Sequence, residues 1–169
     1  METTSKLHEF FVDQLQDIYW AEQKLTGALA TLEEAASSAE LRQAFNSHRQ
    51  ETKNHVSRVE KVFELIGVPA RAKKCPAIAG IVDEGEEIID ETEEHTAQRD
   101  VGLIFAGQKA EHYEIATYGG LVTLARTLGY KDAAEILSVT LAEEKKADNL
   151  LTRIAENGIN VQANEEVNG

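Results

Sequence analysis

Four glutamates, Glu22, Glu51, Glu114 and Glu144, occupy or border positions where helical spacing predicts apolar core. Glu22 lies seven residues from both Leu15 and Leu29, and Glu144 lies seven from both Leu137 and Leu151. Seven residues is two turns, so each acid points the way its leucines do. Glu114 shares a stripe with Ala110, Leu121 and Leu128, and Glu111 shares one with Ile104, Ile115, Tyr118 and Val122. Glu51 stands three residues after His48 and four before His55, which puts all three on one helix face. A buried carboxylate without a partner costs several kcal/mol, and like charges nearby raise that cost. The remedies are protonation, an inward Lys or Arg, or a bound cation. Lys53, Lys109 and Lys145 sit one or two positions off the acids, where they face outward. Carboxylate oxygen with imidazole nitrogen suits manganese, iron or zinc. Four Glu with added His is the bundle design for two carboxylate-bridged metals. Asp148, four residues after Glu144, joins His48 and His55 as a further candidate ligand or outer partner. A single Glu on an inner stripe usually keeps its head in water; acids at matched heights favour the ion.

The heights follow from the elements. Four long helices are predicted, over about Thr4–Ala36, Ser38–Ile66, Gln98–Leu128 and Asp132–Glu156. The first carries Leu7, Phe11, Leu15, Ile18, Glu22, Leu25, Leu29 and Leu32 at spacings of three and four. The second carries Leu41, Phe45, His48, Thr52, His55, Val59, Val62 and Ile66. Gly67, Gly129 and Gly158 are the expected helix stops, and Pro69 forbids early resumption after the second helix. The first pair turns near residues 36–37, with Glu22 and Glu51 each about 14 residues away. The second pair turns near residues 129–130, with Glu114 and Glu144 about 14 to 15 residues away. At about 1.5 Å per residue each pair sits at nearly one level, with Glu111 one turn further out. The halves also align: AEQKLTGAL from Ala21 on YEIATYGGL from Tyr113, and ETKNH from Glu51 on EKKAD from Glu144. That places Glu22 on Glu114 and His55 on Asp148.

Between the pairs, CPAIAGIVDEGEEIIDETEEH predicts a shorter helix from about Pro76 to Thr92, inside a crossover. Its acidic run reads as a solvated face. Two helical hairpins joined by a long crossover make an antiparallel four-helix bundle of the ferritin-like kind, and no strand pattern competes. The fold class is therefore all-α. Residues 1–160 form one bundle domain, and 161–169 is a flexible tail. Tyr19, Trp20, Tyr113, Tyr118 and Cys75 are expected to be packing residues.

The composition narrows the partners. Thirty acids against 17 bases give a net charge of −13, which repels a phosphate backbone and argues against nucleic acid. One cysteine permits no internal disulfide. METTSKLHEFF lacks the pattern of a signal peptide, and no run is apolar and long enough to span a bilayer. A cytoplasmic protein with no membrane contact is expected.

At these residues the chain resembles the YciF/YciE-type ferritin-like proteins, a group of small bacterial stress-associated proteins. The resemblance spans nearly the whole chain and is carried by DIYWAEQKL, HRQETKNHVSRVE, KCPAIAGIVDEGEE, QKAEHYEIATYGGLVTLA and LAEEKKAD. It implies a four-helix bundle, a homodimer and a dimetal centre, with Glu22, Glu51, Glu111 or Glu114, and Glu144 as the acids. The chain departs from the wider dimetal pattern, which has Glu-x-x-His on two helices. Here the second long helix offers His48-x-x-Glu51 or Glu51-x-x-x-His55, and the fourth offers Glu144 with Asp148.

Three functions compete. Two iron or manganese ions per chain would make an oxidoreductase acting on oxygen or peroxide. The same ions without turnover would make a binding protein. Acids paired or protonated without metal would leave a structural bundle.

Overall fold

The computed structural model describes residues 5–167. Thr4, where the first helix was expected to start, and the last two residues of the tail lie outside the described residues. Four long helices are present: α1 Lys6–Ala35, α2 Ala39–Leu65, α4 Ala97–Thr127 and α5 Lys131–Ile154. The crossover holds α3, Pro76–Glu91. The expected boundaries agree to within a few residues, the ordinary scatter of helix ends.

Local chemistry sets the starts. Ser5, Ser38 and Thr96 accept backbone N–H bonds from His8, Leu41 and Arg99. Cys75 does the same for Ile78 through Sγ, ahead of Pro76 at the first helical position. Gly67 and Gly129 follow α2 and α4 with φ of 70° and 81°, the left-handed region that costs glycine little.

The helices α1 and α2 pack as one hairpin and α4 and α5 as the other. Contacts of α2 with α5 and of α1 with α4 close the bundle, and α3 lies against α4 and α1. The Asp100 carboxylate on α4 accepts from the backbone N–H of Ser37 (2.7 Å) and Ser38 (2.8 Å), tying α4 to the first hairpin's turn. Gly102 lets α3 approach, since a Cβ there would meet Ile88 Cγ2 at 2.5 Å.

The core is two apolar clusters, one at each end. One gathers Phe11, Leu15, Ile18, Val62, Phe63, Leu121 and Leu137. The other gathers Leu29, Leu41, Phe45, Leu103, Ile104, Leu151 and Ile154. Between them every long helix contributes buried polar side chains: Glu22, then His48, Thr52 and His55, then Glu111 and Glu114, then Thr140 and Glu144.

The fourth long helix ends at Ile154, and Gly158 is the non-helical residue of the kink just beyond it, the stop expected of it. A wide turn over Ala155–Ile159 kinks the chain, Ile159 is buried, and α6 runs Asn160–Glu165. Glu166 then accepts from the N–H groups of Ala97 (2.6 Å) and Gln98 (2.9 Å) at the start of α4. No helix among the described residues is long and apolar enough to cross a membrane.

Candidate metal centre

The polar belt brings together six of the eight residues singled out by sequence. Glu22 comes from α1, His48 and His55 from α2, Glu111 and Glu114 from α4, and Glu144 from α5. They form two groups of potential ligand atoms, each with all atoms within 4.8 Å of one another: His48, Glu111, Glu114 and Glu144, and Glu22, His55 and Glu144. Glu144 belongs to both. All six residues are buried, Glu22, His55 and Glu144 completely.

Each histidine turns one ring nitrogen to the acids. Nε2 of His48 lies 3.0 Å from Glu111 Oε1 and 3.3 Å from Glu144 Oε2. Nδ1 of His55 lies 2.9 Å from Glu144 Oε1 and 3.4 Å from Glu22 Oε1. The other nitrogen of each ring binds an outer carboxylate: His48 Nδ1 to Glu51 at 3.2 Å, His55 Nε2 to Glu143 at 2.8 Å. Arg58 holds Glu143 with two guanidinium bonds, at 2.5 and 3.0 Å. On the other side Tyr118 donates its hydroxyl to Glu22 Oε1.

Among the described residues, eight buried side-chain nitrogen and oxygen atoms have no hydrogen-bond partner. Six of them are here: Glu22 Oε2, His55 Nδ1, Glu111 Oε2, Glu114 Oε1 and both oxygens of Glu144. The His55–Glu144 approach is close in distance but not aligned as a hydrogen bond. Buried polar atoms are nearly always satisfied, so such a concentration marks a place that could hold an ion, water or shared protons.

The electrostatics say the same. Burial raises the Glu22 carboxyl, and burial with three neighbouring carboxylates holds Glu114 well above the ordinary range. Burial pushes Glu111 up to about 8, with His48 holding it back. Glu144 is the exception. Burial opposes its ionisation too, but His48 and His55 overcome this and lower it. Both imidazoles resist burial's downward push because carboxylates surround them: His48 is raised well above its usual value and His55 to about 10. Without an ion, the site is balanced by protons.

A profile of the domain of unknown function DUF892 matches residues 6–164. The chain belongs to the DUF892 family. It is 44% identical to Protein YciF of Escherichia coli (strain K12) over 158 residues, 93% of this chain and 95% of that protein. The crystal structure of the E. coli stress protein YciF superposes with a TM-score of 0.87 over 95% of this chain and 99% of that one, at 44% identity. YcfI of Rhodopseudomonas palustris, described as a proposed structural protein, gives 0.84 at 34% identity, over 89% and 96% of the two chains. A protein from Xanthomonas campestris pv. campestris gives 0.74 at 24% identity over 95% and 97%, which shows the shared fold alone.

In this DUF892 chain two of the singled-out residues stay outside the group. Glu51 keeps its side chain 31% exposed and meets the outer nitrogen of His48 and, at 4.0 Å, Lys146. Asp148 turns away to Gln108 Nε2 (3.1 Å) and His112 (3.2 Å). The inner faces of α2 and α5 centre on His48–Thr52–His55 and Leu137–Glu144–Leu151. At about 100° per residue, Glu51 lies about 65° and Asp148 about 40° off those centres.

Sequence reasoning passed over Glu143, Arg58 and the polar role of Tyr118. The only signal for Glu143 was its adjacency to Glu144; that Arg58 would meet it across α2 and α5 is a tertiary fact. Tyr118 is a fully buried packing residue, as expected, but its hydroxyl also serves Glu22. Cys75 likewise packs in the crossover, with Sγ 3.0 Å from the Tyr113 hydroxyl, which donates to Asp17.

Proposed function

We propose that this chain is a ferritin-like dimetal carboxylate protein that holds two iron or manganese ions in its polar belt and serves a stress response. One ion would be held by His48, Glu111, Glu114 and Glu144, the other by Glu22, His55 and Glu144, with Glu144 shared. The observation that carries the reading is the convergence of six unpartnered buried donor atoms on one space. The donor chemistry fits: four carboxylates and two imidazoles are the inventory of two-metal bundle sites. Their distribution differs. Both histidines stand on α2, and α4 supplies Glu111-x-x-Glu114 in place of a Glu-x-x-His pair. The relative named as a stress protein supports the physiological context, and the family resemblance supports a homodimer.

Redox-active ions here would supply electrons and Lewis acidity toward oxygen or peroxide, in a ferroxidase- or peroxidase-like reaction. The chain's own part is positioning. Glu51 and Glu143 hold the imidazoles in place by their outer nitrogens, as outer partners of metal-bound histidine do. Tyr118 steers Glu22. The apolar clusters on both sides exclude water, which strengthens every charge interaction between them.

The test is metal content per chain after anaerobic ferrous loading and desalting, with a manganous sample alongside. About two ions per chain are expected by the two-metal design, lost in the Glu22→Ala, Glu144→Ala double variant. No retained metal in either loading would leave the second reading, a structural bundle whose acids are neutralised by His48, His55 and protons. The structural description of the R. palustris relative favours that alternative.

A further inference from the structure

The belt has an apolar approach. A cavity between α1, α3 and α4 is walled by Leu25, Leu29, Val82 and Ala110, with His48, Glu111 and Glu114 at its inner end and exposed Thr31 and Glu86 at its outer end. Small residues keep it open. Gly85 on α3 faces Ala106 on α4, where a Cβ on the glycine would make an ordinary contact at 3.5 Å with that of the alanine. Glu111 Oε2 and Glu114 Oε1, both buried and unpartnered, belong to the carboxylates that line its inner end.

We infer that this cavity is the route by which an uncharged diatomic molecule, dioxygen in size and polarity, reaches Glu111 and Glu114 from outside. The inference rests on the dimetal reading and chooses oxygen over peroxide. Three comparisons select the occupant. The room for a water-sized sphere is about 40 Å³, whereas a cavity of about 150 Å³ is what takes up a benzene, so an organic substrate is excluded by size. An ion crossing these walls would lose its hydration with no partner until the floor. Between the Thr31–Glu86 mouth and the floor, a peroxide would carry O–H donors past walls of Leu25, Leu29, Val82 and Ala110 whose side chains accept none, and each unmade bond costs about 1–3 kcal/mol. A neutral diatomic loses nothing on entry.

A charged species has an alternative approach, past a charged side chain of each sign. On the far side a second cavity of about 70 Å³ between α2 and α5 has Glu51 and Lys146 among its lining and also reaches His48 and Glu111. The two cavities lead to one site, the second with both Glu51 and Lys146 in its lining.

The experiment uses xenon and nitric oxide. Crystals of the full chain are pressurised with xenon, without metal and after anaerobic ferrous loading. Nitric oxide and azide association with the loaded protein are followed by stopped-flow absorbance. The same measurements are made on Ala110→Leu and, should that variant fold poorly, Ala28→Leu on the α1 wall. Xenon density between α1, α3 and α4 is expected in the wild type and lost in the variants. Nitric oxide association should slow at least about tenfold in the variants, azide association less than about twofold. The tenfold figure corresponds to about 1.4 kcal/mol of barrier. Absence of xenon from the wild type overturns the inference, as does nitric oxide association that the blocking side chains leave unchanged. Iron analysis of the same samples separates this from failure of the dimetal reading, which would show as no retained iron whatever the xenon result.

Discussion

His48 and His55 face the same acids with opposite ring nitrogens. His48 presents Nε2 and gives Nδ1 to Glu51 at 3.2 Å; His55 presents Nδ1 and gives Nε2 to Glu143 at 2.8 Å. Both outer carboxylates lie on the flanks where α2 meets α5, so one seam fixes the orientation of both rings. Each carboxylate accepts a hydrogen bond from the outer N–H, which in the neutral ring leaves the inner nitrogen's lone pair for a ligand.

Glu51→Ala should therefore weaken metal binding without unfolding the chain. Removing an outer partner of a ligating histidine typically costs about 10–100-fold in affinity. Glu51 is partly exposed, so the bundle should keep its helicity. Competition titration against a chromophoric chelator measures the first quantity and circular dichroism the second. Unchanged affinity would deny His48 a role in binding.

The metal-free protein should lose stability as pH rises from mildly acidic to alkaline. The folded Glu111 carboxyl holds its proton to about 8, whereas the unfolded chain releases it near the ordinary 4.5. His55 holds its proton to about 10 in the fold, against 6.5 unfolded. In both cases the folded state binds more protons, so stability falls with pH. The windows are about 4.5 to 8 for Glu111 and 6.5 to about 10 for His55. Glu144, lowered by the two imidazoles, acts the other way: its contribution is present above about 4.5 and is lost on acidification below that. Urea midpoints at pH 5.5, 7 and 9 check this, with the highest expected at the lowest of the three.

Metal uptake should release protons and tighten as pH rises. Ions compete with the protons held on Glu111, Glu114, His48 and His55. Calorimetry in two buffers of different ionisation enthalpy counts them. Net release at pH 6.5 is the expected result; a heat independent of buffer would contradict proton occupancy of the belt.

Tyr118→Phe should destabilise the chain by about 1–3 kcal/mol, the cost of leaving a buried partner unsatisfied. The hydroxyl is the only hydrogen-bond donor to the Glu22 carboxylate among the described residues, and Tyr118 is fully buried. Urea unfolding of the metal-free and loaded forms gives the number. If an ion holds Glu22, the loaded form should lose less than the metal-free one.

Much of the architecture is legible in the residue order. Leu15–Glu22–Leu29 and Leu137–Glu144–Leu151 mark inner stripes because side chains two turns apart share a direction. Gly67 and Gly129 mark ends because their φ angles suit the reversal. Gly158 also marks the break after α5, although a short further helix, α6, follows the buried Ile159.

The sequence by itself determined the helices, their pairing and the level at which the acids gather, because those depend on periodicity, turn residues and rise per residue. Only the tertiary structure decided which acid enters the group and which stays outside. Glu51 and Asp148 flank their stripes by less than one residue's rotation, and a side chain that far off axis is turned inward or outward by its neighbours. Glu51 went to His48, Asp148 to Gln108 and His112, and Glu143 was drawn to Arg58 and His55. His48 is one turn from Glu51 on the same helix, but the partners of Asp148 and Glu143 lie on other helices, so their pull exists only once the bundle has closed.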